Sequence, residues 1–261
     1  MNILQIIILS LVEGLTEFLP ISSTGHMMVT ASLLNITPSA FLSSFEIFIQ
    51  LGAVLAVVVI YFNKLLGDFN LLLKVGAAFV PTAIIGFVFY PLVKNVLLES
   101  LATVAVSLFV GGVVLILFEW YLVKQKVVHN DNDTEVIKDV NFKESVIIGF
   151  CQSLAMIPGV SRAGATIAAG LGLGLSRQTI VEFSFFLAIP TILAAAGYDL
   201  FKTGADFSLN EFKILALGFI FSFIFAYITV KWLIKFVSTH NFVWFGVYRV
   251  VLACFIWFGL L

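Results

Sequence analysis

Residues 13–26 read EGLTEFLPISSTGH. Two carboxylates, a proline, three consecutive hydroxyl side chains and an imidazole stand between apolar runs. Polar groups carried into hydrocarbon cost free energy and usually mark a site. The residues around this stretch decide whether it lies at membrane depth.

They place it there. Of 261 residues, 61% are hydrophobic, 11% are charged and 28 are Phe, and the mean hydropathy is +1.12. A water-soluble fold of this length cannot cover so much apolar surface, so lipid must be its solvent. The composition predicts an all-α integral membrane protein. A net charge of -1 leaves no basic patch to neutralise phosphates along a duplex, which excludes a nucleic-acid partner. Cys151 and Cys254 sit in apolar surroundings and read as packing residues. The N-terminus has no basic leader or small-residue cleavage site, so no removable signal peptide is expected.

A helix needs roughly 20 apolar residues to cross a bilayer. Six stretches qualify: 42–62, 72–93, 102–124, 179–201, 211–233 and 241–261. Pro81 and Pro190 should kink two of them. Two further segments are apolar but broken. Residues 1–34 split at Phe18-Leu19-Pro20, and 143–174 split at Ile157-Pro158-Gly159. Half-length helices joined by such breaks read as re-entrant hairpins, tolerated only where protein or a polar cavity surrounds the irregular backbone. Between the halves, 125–142 contains HNDNDTEVIKD and reads as a hydrophilic linker.

The halves, 1–124 and 143–261, repeat. An offset of 138 pairs Pro20 with Pro158, Ser23 with Ser161, Phe45 with Phe183 and Leu55 with Leu193. Each half holds one hairpin and three spans. An odd number of crossings starts the second half on the opposite side, which predicts an inverted-topology repeat whose hairpins meet near the midplane. Nine Lys and Arg fall on one face (Lys64, Lys74, Lys124, Lys126, Lys138, Lys143, Arg177, Lys231, Lys235) against Lys94, Lys202 and Lys213 on the other. The nine-residue face should be cytoplasmic, with both termini outside.

In the first break, Glu13 and Glu17 share a helical face, where their charges repel unless a cation or shared proton intervenes. Ser22, Ser23 and Thr24 fall where the second half-helix should begin, the position at which hydroxyls cap free N–H groups. His26 lies one turn inside. The second break, PGVSRAGAT over 158–166, supplies Ser161 as another cap candidate, Arg162, Gly164 and Thr166. Two half-helix N-termini and a guanidinium converging on one spot would bind a strongly anionic group such as phosphate. Taken singly, the serines could be simple caps, His26 structural and Arg162 a salt-bridge partner; five coincidences at two matched breaks favour a site. Gln50, Gln152 and Glu182 read as supporting polar groups, Glu119 with Trp120 as an interfacial anchor. Arg249, in the last span, has no evident role.

These motifs resemble the two signature segments of the bacterial undecaprenyl-diphosphatase family, associated with bacitracin resistance. FEIFIQLGAVLAVVVIYF (45–62) and EFSFFLAIPTILAA (182–195) resemble it too, so the likeness covers nearly the whole chain. Ala163 departs from it, because members often have Ser there. The resemblance implies hydrolysis of undecaprenyl diphosphate, the C55 lipid carrier, to undecaprenyl phosphate and inorganic phosphate. It also implies dependence on a divalent cation, a bacterial plasma-membrane location with the site facing outward, and an inverted-repeat fold.

On this reading Arg162 and the amides near Ser161 and Ser23 hold phosphate oxygens, and Thr166 donates to one. Glu13 and Glu17 bind Mg²⁺ or Ca²⁺. Ser22, Thr24 and Gly164 complete the substrate site. The nucleophile is Ser23 activated by His26, His26 itself, or water activated by Glu17. A homodimer is compatible with the sequence. A transporter or flippase for a polyprenyl phosphate is the rival that the architecture alone would also suit.

Overall fold

The computed structural model describes residues 1–92, 100–125, 139–204 and 207–261, and all regular structure among them is helical. The first segment is helix α1 (Ile3–Thr16), a turn, and α2 (Ser23–Leu33). The chain continues through α3 (Ala40–Ile60), the short α4 (Phe62–Gly67), α5 (Phe69–Leu92) and α6 (Leu101–Gln125). The second half runs α7 (Phe142–Gln152), a single 3₁₀ turn (Ser153–Met156), α8 (Arg162–Gly172), α9 (Arg177–Thr203), α10 (Leu209–Val237) and α11 (Val243–Gly259). Residues 126–138, most of the expected linker, lie outside the described residues, as do Lys94, Lys126 and Lys138 of the charge count.

Both halves open with the same device. Asn2 caps α1 by accepting from the Gln5 N–H at 2.9 Å while the Gln5 side chain accepts from the Asn2 N–H. Asn141 and Glu144 repeat this at the start of α7. These reciprocal bonds satisfy donors that a helix start leaves open.

Among the described residues, five helices, α3, α5, α6, α9 and α10, are long and apolar enough to cross a membrane. The sixth expected span, 241–261, contracts to α11, which has 17 residues. At ~1.5 Å per residue it reaches ~25 Å, at the short end of what a bilayer core requires.

The packing is reciprocal. Helix α1 lies against α10, and α7 against α5, so the first half-helix of each broken segment leans on a span from the other half. Helices α3 and α9 pair at the centre, α6 and α11 at one side. Phe18, Phe183, Phe185 and Phe186 fill the core between the breaks and α9, with Phe18 edge-on to Phe185 at 5.1 Å. The α3–α10 seam is drawn tight at Gly52, which faces the Phe219 carbonyl, and Gly218, which faces Phe45 and Ile49. A Cβ at either would collide with its neighbour. With no hydrophobic drive between helices in lipid, such close backbone approach is what holds a seam.

Two surface readings change. Glu119 is fully buried, not interfacial. It accepts from Arg177 Nε at 3.2 Å and Nη2 at 2.9 Å, and from the Phe242 N–H at 3.0 Å. The forked pair satisfies the carboxylate and pins α6 to α9 and the start of α11. Cys254 is exposed, and both cysteines are free.

Candidate active site

Helices α2 and α8 start alike. Ser22 and Ser161 are their N-caps, accepting from the Gly25 N–H at 3.4 Å and the Gly164 N–H at 3.1 Å. Both serines hold positive φ, 70° and 75°. For a residue with a Cβ this costs of order 1–3 kcal/mol and persists only where the surroundings impose it, often at functional sites. The matched pair is therefore Ser22 with Ser161, an offset of 139 instead of the 138 that aligned Ser23 with Ser161. Pro20 and Pro158 keep the offset of 138, because the second break has one more residue between proline and cap. The partner of Ser23 across the repeat is Arg162: each is the first residue of its half-helix.

Arg249 acquires a role here. It is 1% exposed, and its guanidinium donates from Nη1 to the Pro20 carbonyl at 3.2 Å and from Nη2 to the Gly159 carbonyl at 3.0 Å. Further bonds reach the Ser107 and Leu108 carbonyls of α6. One side chain thus ties both breaks to the α6–α11 pair. Exposed turn carbonyls at membrane depth have no water to bond, and Arg249 supplies the donors.

The breaks face one cavity of about 160 Å³. Glu17, Ser22, Ser23 and Thr24 line it from the first, Ser161 and Arg162 from the second, with Gln50 of α3 and Thr191 of α9 across from them. Arg162 Nη2 donates to Glu17 Oε1 at 3.0 Å, and Nη1 to the Ser184 carbonyl at 2.9 Å. Ser23 Oγ donates to Glu17 Oε2 at 2.5 Å. Glu17 therefore spends one oxygen on each half of the molecule. Arg162 Nε is buried with no partner.

One turn before, Glu13 is 1% exposed, and neither of its carboxylate oxygens has a partner. Glu17, one turn on, and Glu46 of α3 both repel its charge, Glu17 more strongly. An unpaired, buried carboxylate is costly unless a proton or cation joins it. Among the described residues, no three His, Cys, Asp or Glu side chains converge as a ready metal cage. Glu13 itself is not on the cavity wall; its open oxygens lie one helical turn behind Glu17, which is, and two such carboxylates fit a hard cation that takes one or two of them and completes its shell with phosphate oxygens.

Three further expected placements shift. His26 is not on Ser23. Its Nδ1 bonds the Ser22 carbonyl at 2.7 Å and its Nε2 the Tyr248 hydroxyl at 2.8 Å. A carbonyl can only accept, so Nδ1 carries the proton and Nε2 of the neutral ring accepts from Tyr248. Thr166 does not reach the cavity: its hydroxyl bonds the Arg162 and Ala163 carbonyls and Ser184 Oγ. Gly164 is also off the cavity wall, against the Arg249 guanidinium. Both residues shape α8 behind Arg162.

The sequence profile described as "Bacitracin resistance protein BacA" matches residues 6–255. Among similar proteins, one from Aquifex aeolicus is 47% identical over 249 residues, covering 95% of each chain. One from Wolinella succinogenes is 46% identical over 255 residues, covering 97% of this chain and 96% of its own. A third, from Campylobacter fetus, is 47% identical over 256 residues, covering 97% of each. All three carry the name undecaprenyl-diphosphatase. With its breaks, its apolar helices and the full-length match in agreement, the chain belongs to the bacitracin resistance protein BacA family.

Proposed function

We propose that this protein is a membrane hydrolase that converts undecaprenyl diphosphate to undecaprenyl phosphate and inorganic phosphate, and thereby confers bacitracin resistance. Relatives matched along nearly their whole length bear that activity in their names. The observation that carries the reading is the meeting of Arg162, Glu17 and Ser23 on one cavity wall. Moving a lipid phosphate across a membrane does not require a hydroxyl bonded to a carboxylate beside an arginine, so the flippase reading is not favoured.

In the membrane, α11 is the sixth span and the two broken segments are re-entrant. The reciprocal packing of α1 on α10 and α7 on α5 supports the inverted repeat. The excess of Lys and Arg on one face supports the cavity and both termini facing outward.

The terminal phosphate displaces Arg162 from Glu17 and is held by the guanidinium and the free amides opening α2 and α8. Ser23 Oγ attacks the terminal phosphorus, and its proton passes to Glu17 Oε2, to which it is already bonded. The anhydride P–O bond breaks and its electron pair leaves on the lipid phosphate oxygen. Water then hydrolyses the seryl phosphate, releasing inorganic phosphate and restoring Ser23. Glu17 thus takes the base role expected of His26, whose nitrogens are engaged elsewhere. Glu13, with Glu17 once freed, would hold Mg²⁺ or Ca²⁺, which when bound neutralises charge on the diphosphate.

The test is phosphate release by the purified protein in detergent, with undecaprenyl diphosphate and Mg²⁺ or Ca²⁺. The reading predicts one phosphate per lipid consumed; intact lipid diphosphate would contradict it.

A further inference from the structure

An apolar groove of about 620 Å³ lies beside the cavity and opens on the membrane-facing surface. Its walls are Phe79, Ala83 and Phe87 of α5, Met156 of the second break, and Ala194 and Tyr198 of α9, with Asp199, about two helical turns beyond Thr191, the one charged residue among them. Thr191 and Ala195 line both spaces. At that doorway the lining changes from charged and hydroxyl groups to hydrocarbon within one helical turn. Thr191 marks the change, with Thr82 and Gln152 behind it: Gln152 Nε2 donates to Thr82 Oγ1 at 2.9 Å and to Thr191 Oγ1 at 3.3 Å.

The groove is also where the two halves stop matching. If the halves repeat, α5 against α9 is the counterpart of α10 against α3. The α3–α10 seam is closed by backbone contact at Gly52 and Gly218, whereas the α5–α9 seam stands open at the groove. Pro190 sits inside α9 immediately before the doorway residue, and Thr191 Oγ1 bonds the Leu187 carbonyl at 2.7 Å. Pro190 lacks the N–H that would bond the Phe186 carbonyl four residues back, and an interrupted backbone ladder of this kind is where a membrane span can bend away from its partner.

We propose that the α5–α9 groove is the subsite for the isoprenoid tail, entered sideways from lipid. This rests on the diphosphatase reading. The occupant is fixed by chemistry: a molecule whose diphosphate fills the small polar cavity must pass its next atoms through the Thr191–Ala195 doorway, and only a hydrocarbon chain suits the apolar walls beyond it. The groove then sets tail-length preference, because isoprene units beyond the first few gain their contacts there. Those contacts form equally in the ground and transition states, so their loss raises KM and leaves kcat.

Ala83→Trp and Ala194→Trp fill the groove from opposite walls. Kinetics are compared with undecaprenyl and farnesyl diphosphate, alongside the unsubstituted protein. The expected result for either variant is an increase of about tenfold in KM for the long substrate, with kcat held and the farnesyl KM shifted less than about twofold. Equal KM changes for both substrates, or none, would overturn the groove. In the unsubstituted protein, a long-tailed lipid diphosphate analogue with a diazirine beyond its first few isoprene units should label peptides from α5 and α9. Labelling confined to α6 and α11 would overturn the groove even if both variants fail to fold. Failure of the unsubstituted protein to release phosphate from either substrate would overturn the diphosphatase reading itself and is seen before any variant is made.

Discussion

Arg162 Nη2 and Glu17 Oε1 lie 3.0 Å apart although 145 residues separate them in the chain. This bond joins the second break to the first across the cavity, while Nη1 of the same guanidinium reaches the Ser184 carbonyl. A lysine carries the charge but cannot span both partners with one planar fork. Arg162→Lys should therefore retain fold and detergent melting temperature but lose ~10²-fold or more in kcat/KM for lipid diphosphate. Steady-state kinetics with a melting curve on the same preparation check it.

The bond from Ser23 to Glu17 makes a covalent intermediate detectable. Rapid acid quench during turnover should trap phosphate on the peptide containing residue 23, and Ser23→Ala should abolish both the label and ~10³-fold or more of the rate. Label on His26 would move the nucleophile there. Absence of label in a fully active protein would assign the attack to water.

Arg249 bonds four carbonyls from three segments. Arg249→Met keeps much of the volume and leaves those acceptors without donors, at a cost of about 2–4 kcal/mol in stability. Activity per folded molecule should fall as well, since Pro20 and Gly159 are no longer tied together. Denaturant melts in detergent and kinetics on the folded fraction measure the two effects separately.

The positive φ at Ser22 and Ser161 gives a prediction with opposite signs. Ser161→Gly relieves the backbone and loses only a few tenths of a kcal/mol of capping, so it should be neutral or stabilising. Ser161→Ala keeps the strain and loses the cap bond to Gly164, costing ~1 kcal/mol. Thermal melts of the pair decide it.

The open carboxylate of Glu13 predicts dependence on a hard divalent cation. Chelation should stop phosphate release, and Mg²⁺ or Ca²⁺ should restore it. Glu13→Gln should raise the half-saturating cation concentration about tenfold or more, as losing a charged oxygen ligand does. Titrating activity against free cation in both proteins checks this.

Much of this arrangement was legible because breaks in apolar sequence have local causes. Pro20, Pro158 and Gly159 cannot continue a helix, and the hydroxyl residues after them cap the next one, so the ends of α2 and α8 could be read from residue types alone. An offset of 138 misses the serine pairing by one residue because the two breaks differ in length by one, while apolar matches elsewhere tolerate such a slip. Helical spacing alone predicts a Ser23–His26 contact. Ser23, at the first helical position, instead turns to Glu17 in the preceding turn, and His26 finds Tyr248, 222 residues away. Glu46 and Arg249 left no pattern for a different reason. Glu46 meets the field of a carboxylate on another helix and Arg249 bonds a set of backbone carbonyls, neither of which has a sequence signature.

The most direct measurement is a double-mutant cycle on kcat/KM for undecaprenyl diphosphate, using Glu17→Gln, Arg162→Ala and the two combined. Residues that act as one catalytic unit are strongly non-additive, so the double variant should be about as slow as the slower single one. Losses that multiply independently, or single variants that hydrolyse lipid at the parental rate, would contradict a catalytic centre assembled between the two breaks.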